Sequence, residues 1–492
     1  MASSRPAAFL GHPIQLVTLS FTEMWERFSY YGMRALLVLY MVSPPEQGGL
    51  GFNPGHAGAI YGLYTSLVYL AATPGGWIAD TYLGLRLAIL IGAVVIAAGH
   101  FVMLLPGLAA FYLGMGLIIA GTGFLKPTVS SMVGLFYGEG ESARRDAGYS
   151  IFYMGINLGA LLAPLVCGFL GQTIGWHVGF GAAGVGMVLG IGQYLLGWKR
   201  LGAVPAAVHP TAAPPRGNRK PAERGRLKRG LLLLAVVGLL QYLGVVDLRS
   251  VDGLARGVMW IILLAAVAFF GSVLGSAEYS AAEKRRVGSL AFLFAFSGIF
   301  WAGSEQAGSS LNIFAEKSVD LTIVGLALPA SMLQSTLPLL LLVLAPLFTW
   351  LWPALARAGR EPSTPVKFAI GLICMGLSFV VLVPATRLAA GGTLVSPAFL
   401  LAAYFLSAVG ELCLSPVGLS TFSAVAPERV IGQAMGVWFL SMALGNLTAG
   451  RILGLAGRVS APTFALGMAL VVLSAGGMAL LLRRPVQRLM QA

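Results

Sequence analysis

Apolar runs of about twenty residues or more recur from one end of this chain to the other, broken only by short charged or Gly- and Pro-bearing stretches. About twenty apolar residues in helical form cross a bilayer. On that length the segments near 14–42, 55–79, 87–105, 109–133, 146–171 and 176–198 read as spans. A second set falls near 230–246, 256–276, 288–313, 322–352, 367–385, 395–423, 431–456 and 461–482. The expectation is therefore an all-α membrane protein of fourteen helices. With 57% hydrophobic and only 10% charged residues and a mean hydropathy of +0.83, no soluble globular reading competes. The segment from Leu16 to Val42 is too long and too charged for a cleavable signal and continues as a span.

A net charge of +14 suggests nucleic acid until its placement is read. Of the 32 Lys and Arg, 23 lie in the two terminal segments and in alternate loops, including Arg86, Arg144, Arg145, the cluster at 199–229 and Lys284–Arg286. The intervening loops carry Arg249, Arg256, Lys317, Arg387 and Arg458. That alternation is the positive-inside pattern, so a multi-pass protein with both termini in the cytoplasm is expected, and no nucleic-acid partner. Cys167, Cys374 and Cys413 stand singly in apolar segments, and the five His lack ligand spacing, so neither a disulfide frame nor a metal site is expected.

Residues 201–229 hold five Pro and no apolar run, as an exposed linker would. The two spans after it, 230–246 and 256–276, carry their charges only at the flanks and read as a lipid-facing hairpin. This divides the chain into 1–199, 200–286 and 287–492: a six-helix bundle, a linker with its hairpin, and a second six-helix bundle. The bundles echo one another. Leu125-Lys126-Pro127 recurs as Leu414-Ser415-Pro416, and Asn157 recurs as Asn446, both at an offset of 289 residues. Repeated six-helix halves with a site between them describe a transporter that rocks around its substrate.

The first span carries the chemistry. Glu23, Glu26, Arg27, Tyr30, Tyr31 and Arg34 are spaced by threes and fours and share one helix face. A charged side chain near the bilayer centre costs at least ~2.5 kcal/mol on insertion scales, so such a stripe needs partners or a wet cavity. One ion pair between helices would need two of these groups, not six. A binding cavity is the stronger reading. Lys126 stands alone in an apolar helix before a Pro, and Glu411 is the lone anion of its own helix.

At these residues the chain resembles a known family. Glu23-x-x-Glu26-Arg27-Phe28-x-Tyr30-Tyr31-Gly32 is similar to the first-helix signature of the proton-dependent oligopeptide transporters. Gly75-Gly76-Trp77-Ile78-Ala79-Asp80, Gly121-Thr122-Gly123-Phe124-Leu125-Lys126-Pro127 and Phe152-Tyr153-Met154-Gly155-Ile156-Asn157 resemble its later motifs. So do Phe300-Trp301-Ala302 with Glu305-Gln306, Gly410-Glu411 with Ser415-Pro416, and Trp438-Phe439-Leu440-Ser441. The resemblance covers 14–484 and implies the major facilitator fold, with proton-coupled symport of di- and tripeptides across a bacterial inner membrane. It implies no cofactor, protons as the coupling ion, and a monomer.

A zwitterionic peptide offers a carboxylate, an ammonium and a short polar backbone, so a promiscuous site should clamp its two ends. Arg27 and Lys126 are the cations for the carboxylate and Glu411 the anion for the ammonium. Asn157, Tyr31 and Tyr69 are hydrogen-bonding candidates, and Trp301, Trp438 and Ser441 candidate pocket residues. Glu23, Glu26 and Glu305 are the candidate proton carriers, because an acid that exchanges an Arg partner for none also exchanges its proton. The resemblance further implies two gates, Arg34 with Glu305 outside and Lys126 with Glu411 inside.

The chain departs from the family pattern at four positions. Gly62 replaces a proton-handling His, Leu337 replaces an Asn before Pro338, Thr81 follows Asp80 where a basic residue is common, and Ser304 stands where some members have a second carboxylate. A related carrier of nitrate or another small anion is the alternative, but it would be expected to lose the Glu-x-x-Glu-Arg stripe. An enzyme would need a nucleophile–base pair or clustered metal ligands inside a span, and none is present.

Overall fold

A computed structural model describes residues 8–9, 11–137, 141–202, 241, 247, 250–323 and 325–491. The expected linker from 203 onward and the span 230–246, Gln241 apart, lie outside the described residues. The helices before the linker are α1 (Ile14–Val42), α2 (Pro54–Leu70), α3 (Ala72–Ile78), α4 (Leu85–Val102), α5 (Leu108–Gly134), α6 (Ser142–Ala163), α7 (Phe169–Thr173) and α8 (Trp176–Gly197). Those after it are α9 (Val251–Gly275), α10 (Ala281–Ser304), α11 (Ser310–Ser318), α12 (Thr336–Arg357), α13 (Thr364–Ala390), α14 (Ala398–Val425), α15 (Ile431–Ala456), α16 (Ala461–Leu481) and α17 (Arg483–Gln491). Among the described residues helices cover thirteen of the expected spans, six before the linker, α9, and six after it, and eleven of them are long and apolar enough to cross a membrane. The face of the protein where α1 begins is called the near face below, and the face where it ends the far face.

Local chemistry sets the ends. Asn53 caps α2 by accepting from the His56 N–H at 2.9 Å, with Pro54 at the first helical position, where its missing N–H costs nothing. Ser280 and Glu283 form a reciprocal capping box at the start of α10. Three spans are interrupted rather than straight, the first where α2 and α3 part at Ala71. A π-helical turn at Pro164–Gly168 joins α6 to α7, and a 3-10 turn at Glu305–Gly308 joins α10 to α11.

Two expected element boundaries need correction. The span placed at 322–352 begins later, because Gly325 takes a left-handed turn (φ 79°) between the two-residue strands Thr322–Ile323 and Leu326–Ala327. A 3-10 turn at Ala330–Ser335 then leads into α12. A second short ladder pairs Ala8–Phe9 with His12–Pro13; these two-residue ladders leave the fold all-α as expected. The second hairpin span starts at Val251, capped by Ser250, and takes Asp252 and Arg256 into its first turns. The acid there faces the positive end of the helix dipole.

In the first half α1 packs on α6 and α8, and α4 on α5; in the second, α13 packs on α14 and α16, and α10 on α15. Aromatic side chains fill the second core, with Phe300, Phe368, Phe379, Phe422 and Trp438 all buried. The halves meet along α2 and α15, where the backbones touch. A Cβ added at Gly58 would lie 2.1 Å from the Gly450 carbonyl oxygen, and one at Gly450 2.2 Å from that of Gly58. The same contact covers Gly62, whose Cβ would meet the Asn446 carbonyl at 3.0 Å and the Gly450 and Leu447 Cα atoms at 3.2 Å, so a larger side chain there requires the two backbones to give way. The hairpin helix α9 covers the seam, with Ala255, Val258 and Ile262 packing against Leu63 of α2 and Ala443 and Leu447 of α15.

This seam predicts a stability difference. Gly58→Ala forces α2 and α15 apart and should cost roughly 1–3 kcal/mol. Gly116→Ala, where a Cβ meets nothing within 4 Å, should stay within about 0.5 kcal/mol of the parent. Thermal unfolding in detergent measures both, and indistinguishable midpoints would contradict the close approach.

Candidate functional site

The stripe on α1 divides into two columns. Glu23, Arg27, Tyr31 and Arg34 line a cavity of about 200 Å³ between the halves, while Glu26 and Tyr30 turn toward the helices behind. The Arg27 guanidinium ties the columns together. Its Nε lies 3.3 Å from Glu23 Oε1 and also pairs with Glu26 Oε2, while its Nη2 donates to Glu26 Oε1 at 2.6 Å. Glu26 thus commits both oxygens to Arg27. Glu23 keeps its Oε2 without a hydrogen-bond partner in the protein. Arg27 also lies over the Tyr30 ring at 5.1 Å, and that ring stacks on Tyr64. The buried guanidinium is therefore held from several directions, as a membrane-depth charge requires.

Other elements of the first half add to this wall. Lys126, before Pro127 in α5, places its Nζ 4.0 Å from the centre of the Tyr69 ring. Both residues line the cavity, and the contact is a cation–π interaction. Asn157 of α6 donates to the Tyr153 carbonyl at 3.0 Å, four residues back, and both side chains also line the cavity.

The second half supplies a less polar wall. Trp301, Ser304 and Glu305 reach the cavity where α10 breaks, Leu337, Pro338 and Leu341 come from α12, and Phe439 and Met442 from α15. Tyr404, Glu411 and Ser415 lie along α14. Toward the far face, Arg34 Nη2 lies 3.1 Å from Glu305 Oε2, joining the halves. Further bonds between the halves lie toward the same face. Asn312 and Gln334 both donate to the Ala35 carbonyl, Ser335 donates to the Leu161 carbonyl, and Ser331 donates to Gln172. The cavity is closed there.

Three expected placements are corrected. Trp438 is buried against the Phe368 and Phe422 rings at 6.5 and 5.4 Å and does not reach the cavity. Ser441 is also buried, donating within the core to the Trp438 carbonyl or Ser297 Oγ. The reason is rotational: each residue turns a helix by about 100°, so Phe439 and Met442 of the same helix face the cavity instead. The expected near-side pair is unmade in this structure, as it should be when the far pair is closed: Lys126 and Glu411 both line the cavity, with Lys126 lying on Tyr69. Glu26 braces the site from behind and is absent from the lining. The remaining expected residues, Glu23, Arg27, Tyr31, Arg34, Tyr69, Lys126, Asn157, Trp301, Glu305 and Glu411, are brought together around one cavity. Tyr153, Gln334, Tyr404 and Phe439 join them without having been singled out. Tyr153 had a usable signal, being one helical turn before Asn157.

Around this cavity stand four acids (Glu23, Glu26, Glu305, Glu411) and three bases (Arg27, Arg34, Lys126). Among the described residues no group of His, Cys, Asp and Glu is arranged to hold a metal ion. The repeat seen in the sequence has diverged in use. Lys126 and Ser415 both line the cavity, but of the two Asn only Asn157 does, Asn446 being buried in α15.

Comparison with known proteins agrees with this architecture. The POT family model matches residues 86–210 and 252–478. An uncharacterized transporter, YclF, of Bacillus subtilis is 41% identical over 491 residues, covering 98% of this chain and 96% of its own. The peptide transporter YePEPT of Yersinia enterocolitica is 37% identical over 497 residues, with coverage of 98% and 96%. A crystal structure of a peptide transporter POT in complex with sulfate superposes with a TM-score of 0.88 at 39% identity, covering 100% of this chain and 98% of that one. With its two helical halves around a central cavity, this chain is a membrane transporter of major facilitator architecture and belongs to the POT family.

Proposed function

We propose that this transporter carries di- and tripeptides into the cell together with protons. The observation that carries the reading is the polarity of the cavity, cationic toward one wall and anionic at Glu411 on the other. A peptide spans that separation with its carboxylate toward Arg27 and Lys126 and its ammonium toward Glu411. Trp301, Tyr404, Phe439 and Met442 leave apolar and aromatic room for variable side chains. A nitrate-type substrate would satisfy the cations but leave the half-buried Glu411 carboxylate without a partner, which is unfavourable. The relatives whose names state a substrate are peptide transporters, and this supports the same assignment here.

Charge balance supports proton coupling. With every group ionised, four acids against three bases leave the site one positive charge short. A zwitterion does not change that sum, whereas one proton completes it. Opposite gates would alternate. Arg34 with Glu305 shuts the far side in this structure, and Lys126 with Glu411 would shut the near side in the other state. The basic loops support a cytoplasmic near face, with both termini on the cytoplasmic side of a bacterial inner membrane. In this reading the monomer is the working unit, and 1–199 and 287–492 are its moving bundles on either side of 200–286.

In liposomes, labelled dialanine should accumulate when the outside is acidic, and accumulation should collapse with a protonophore. Accumulation that ignores the proton gradient, or that requires sodium, would overturn the reading.

A further inference from the structure

We propose that Tyr61 is the third member of the far-side gate, so that one hydroxyl and one guanidinium of the first half grip a single carboxylate oxygen of the second. Tyr61 lies on α2, beside the seam where α2 and α15 touch, and its ring is fully buried. Its hydroxyl accepts from Arg34 Nε at 2.8 Å and donates to Glu305 Oε2 at 2.9 Å. Arg34 Nη2 lies 3.1 Å from that same oxygen. The three side chains therefore close a hydrogen-bonded ring.

The ring has consequences that an ion pair alone lacks. Arg34 and Tyr61 belong to one half and Glu305 to the other, so separating the halves breaks two bonds to the carboxylate and leaves the Arg34–Tyr61 bond intact. The guanidinium then retains a partner in the open state, and Glu305 is the group released. Because Arg34 donates to the phenol, the phenol is polarised to donate more strongly to Glu305. The turn Glu305–Gly308 is also shaped around the ring. A Cβ at Gly308 would stand 2.3 Å from the Tyr61 hydroxyl oxygen and 2.9 Å from Arg34 Nε. Glycine at this position lets the turn close directly over the three groups.

The assignment rests on the reading above that the far side opens during transport, but its test needs no peptide or proton gradient. Spin labels on Glu46→Cys and Lys317→Cys report the far face, and labels on Tyr82→Cys and Glu428→Cys the near face, in a background with the native cysteines replaced. In the parent, the far-face pair should give one short distance. Tyr61→Phe keeps the ring's packing and removes only the hydroxyl. It should raise the ratio of far-open to far-closed molecules roughly tenfold, the order expected for losing a hydrogen bond to a charged group. The near-face pair should shorten in the same proportion. Gly308→Ala removes no bond but wedges the ring, and should shift both pairs in the same direction. Unchanged distances in both variants would overturn the proposal. So would broadening at both faces without reciprocity, which would mean that Tyr61 only supports packing. If the parent fails to take up dialanine while the distances shift as described, the substrate assignment falls and the gate stands.

Discussion

Glu23→Gln should abolish proton-driven accumulation of dialanine while peptide exchange across the membrane continues. The motive is geometric. Glu23 lines the cavity with one oxygen on Arg27 and the other unpartnered, so it is the acid of the stripe with room for a proton. Glutamine preserves its size and one acceptor, and removes the titration. Exchange needs the site but no net proton movement, so counterflow of labelled against unlabelled peptide is the control. Glu26→Gln should also lose accumulation, by a different route: both Glu26 oxygens hold Arg27, and loosening that guanidinium disturbs the carboxylate clamp as well. Binding therefore separates the two variants, weakened in Glu26→Gln and retained in Glu23→Gln. Wild-type accumulation in both would reduce the stripe to a structural role.

Lys126→Ala should bind ordinary dipeptides tenfold to a hundredfold more weakly, yet bind a C-terminally amidated dipeptide almost as the parent does. A charge-assisted hydrogen bond is worth roughly 1.5–3 kcal/mol, and a ligand lacking the matching charge has none to lose. Glu411→Ala should show the converse, with N-acetylated peptides insensitive. The Glu411 effect should be the larger. The α12 wall near it, Leu337, Pro338 and Leu341, offers the ammonium no second carboxylate, and Glu305 is already held by Arg34 and Tyr61, whereas the peptide carboxylate has Arg27 as well as Lys126. Competition against a labelled dipeptide reports both. Equal losses across free, amidated and acetylated peptides would mean that these residues act as gates rather than clamps.

Much of the site was readable because charge is conspicuous in a bilayer. Glu23, Arg27, Arg34, Lys126, Glu305 and Glu411 are each exceptional within an apolar helix, and each reaches the cavity. Apart from Glu26, which braces the site from behind, the expected placements that failed concerned residues that are ordinary in such helices. Trp438 and Phe439 are adjacent and equally apolar, and nothing in their spacing says which faces the cavity. Ser441 packs inside its half for the same reason. Tyr61 is one of three Tyr in α2, with Tyr64 and Tyr69, and nothing in an apolar helix marks which of them meets a charge. Its role comes from Arg34, 27 residues back, and Glu305, 244 residues on.

What the sequence determined by itself was the membrane class, the approximate spans and the charged residues that need a cavity. These follow from the cost of placing apolar surface in water and charge in hydrocarbon, terms that each segment carries alone. What only the tertiary structure decided was which groups share partners. Glu26 rather than Glu23 takes both ends of the Arg27 fork, Lys126 rests on Tyr69 rather than on Glu411, and the far side is the closed one. Those outcomes depend on helix rotation and on how two halves meet. Neighbouring states there differ by a few hydrogen bonds, and the segments that supply them lie far apart along the chain.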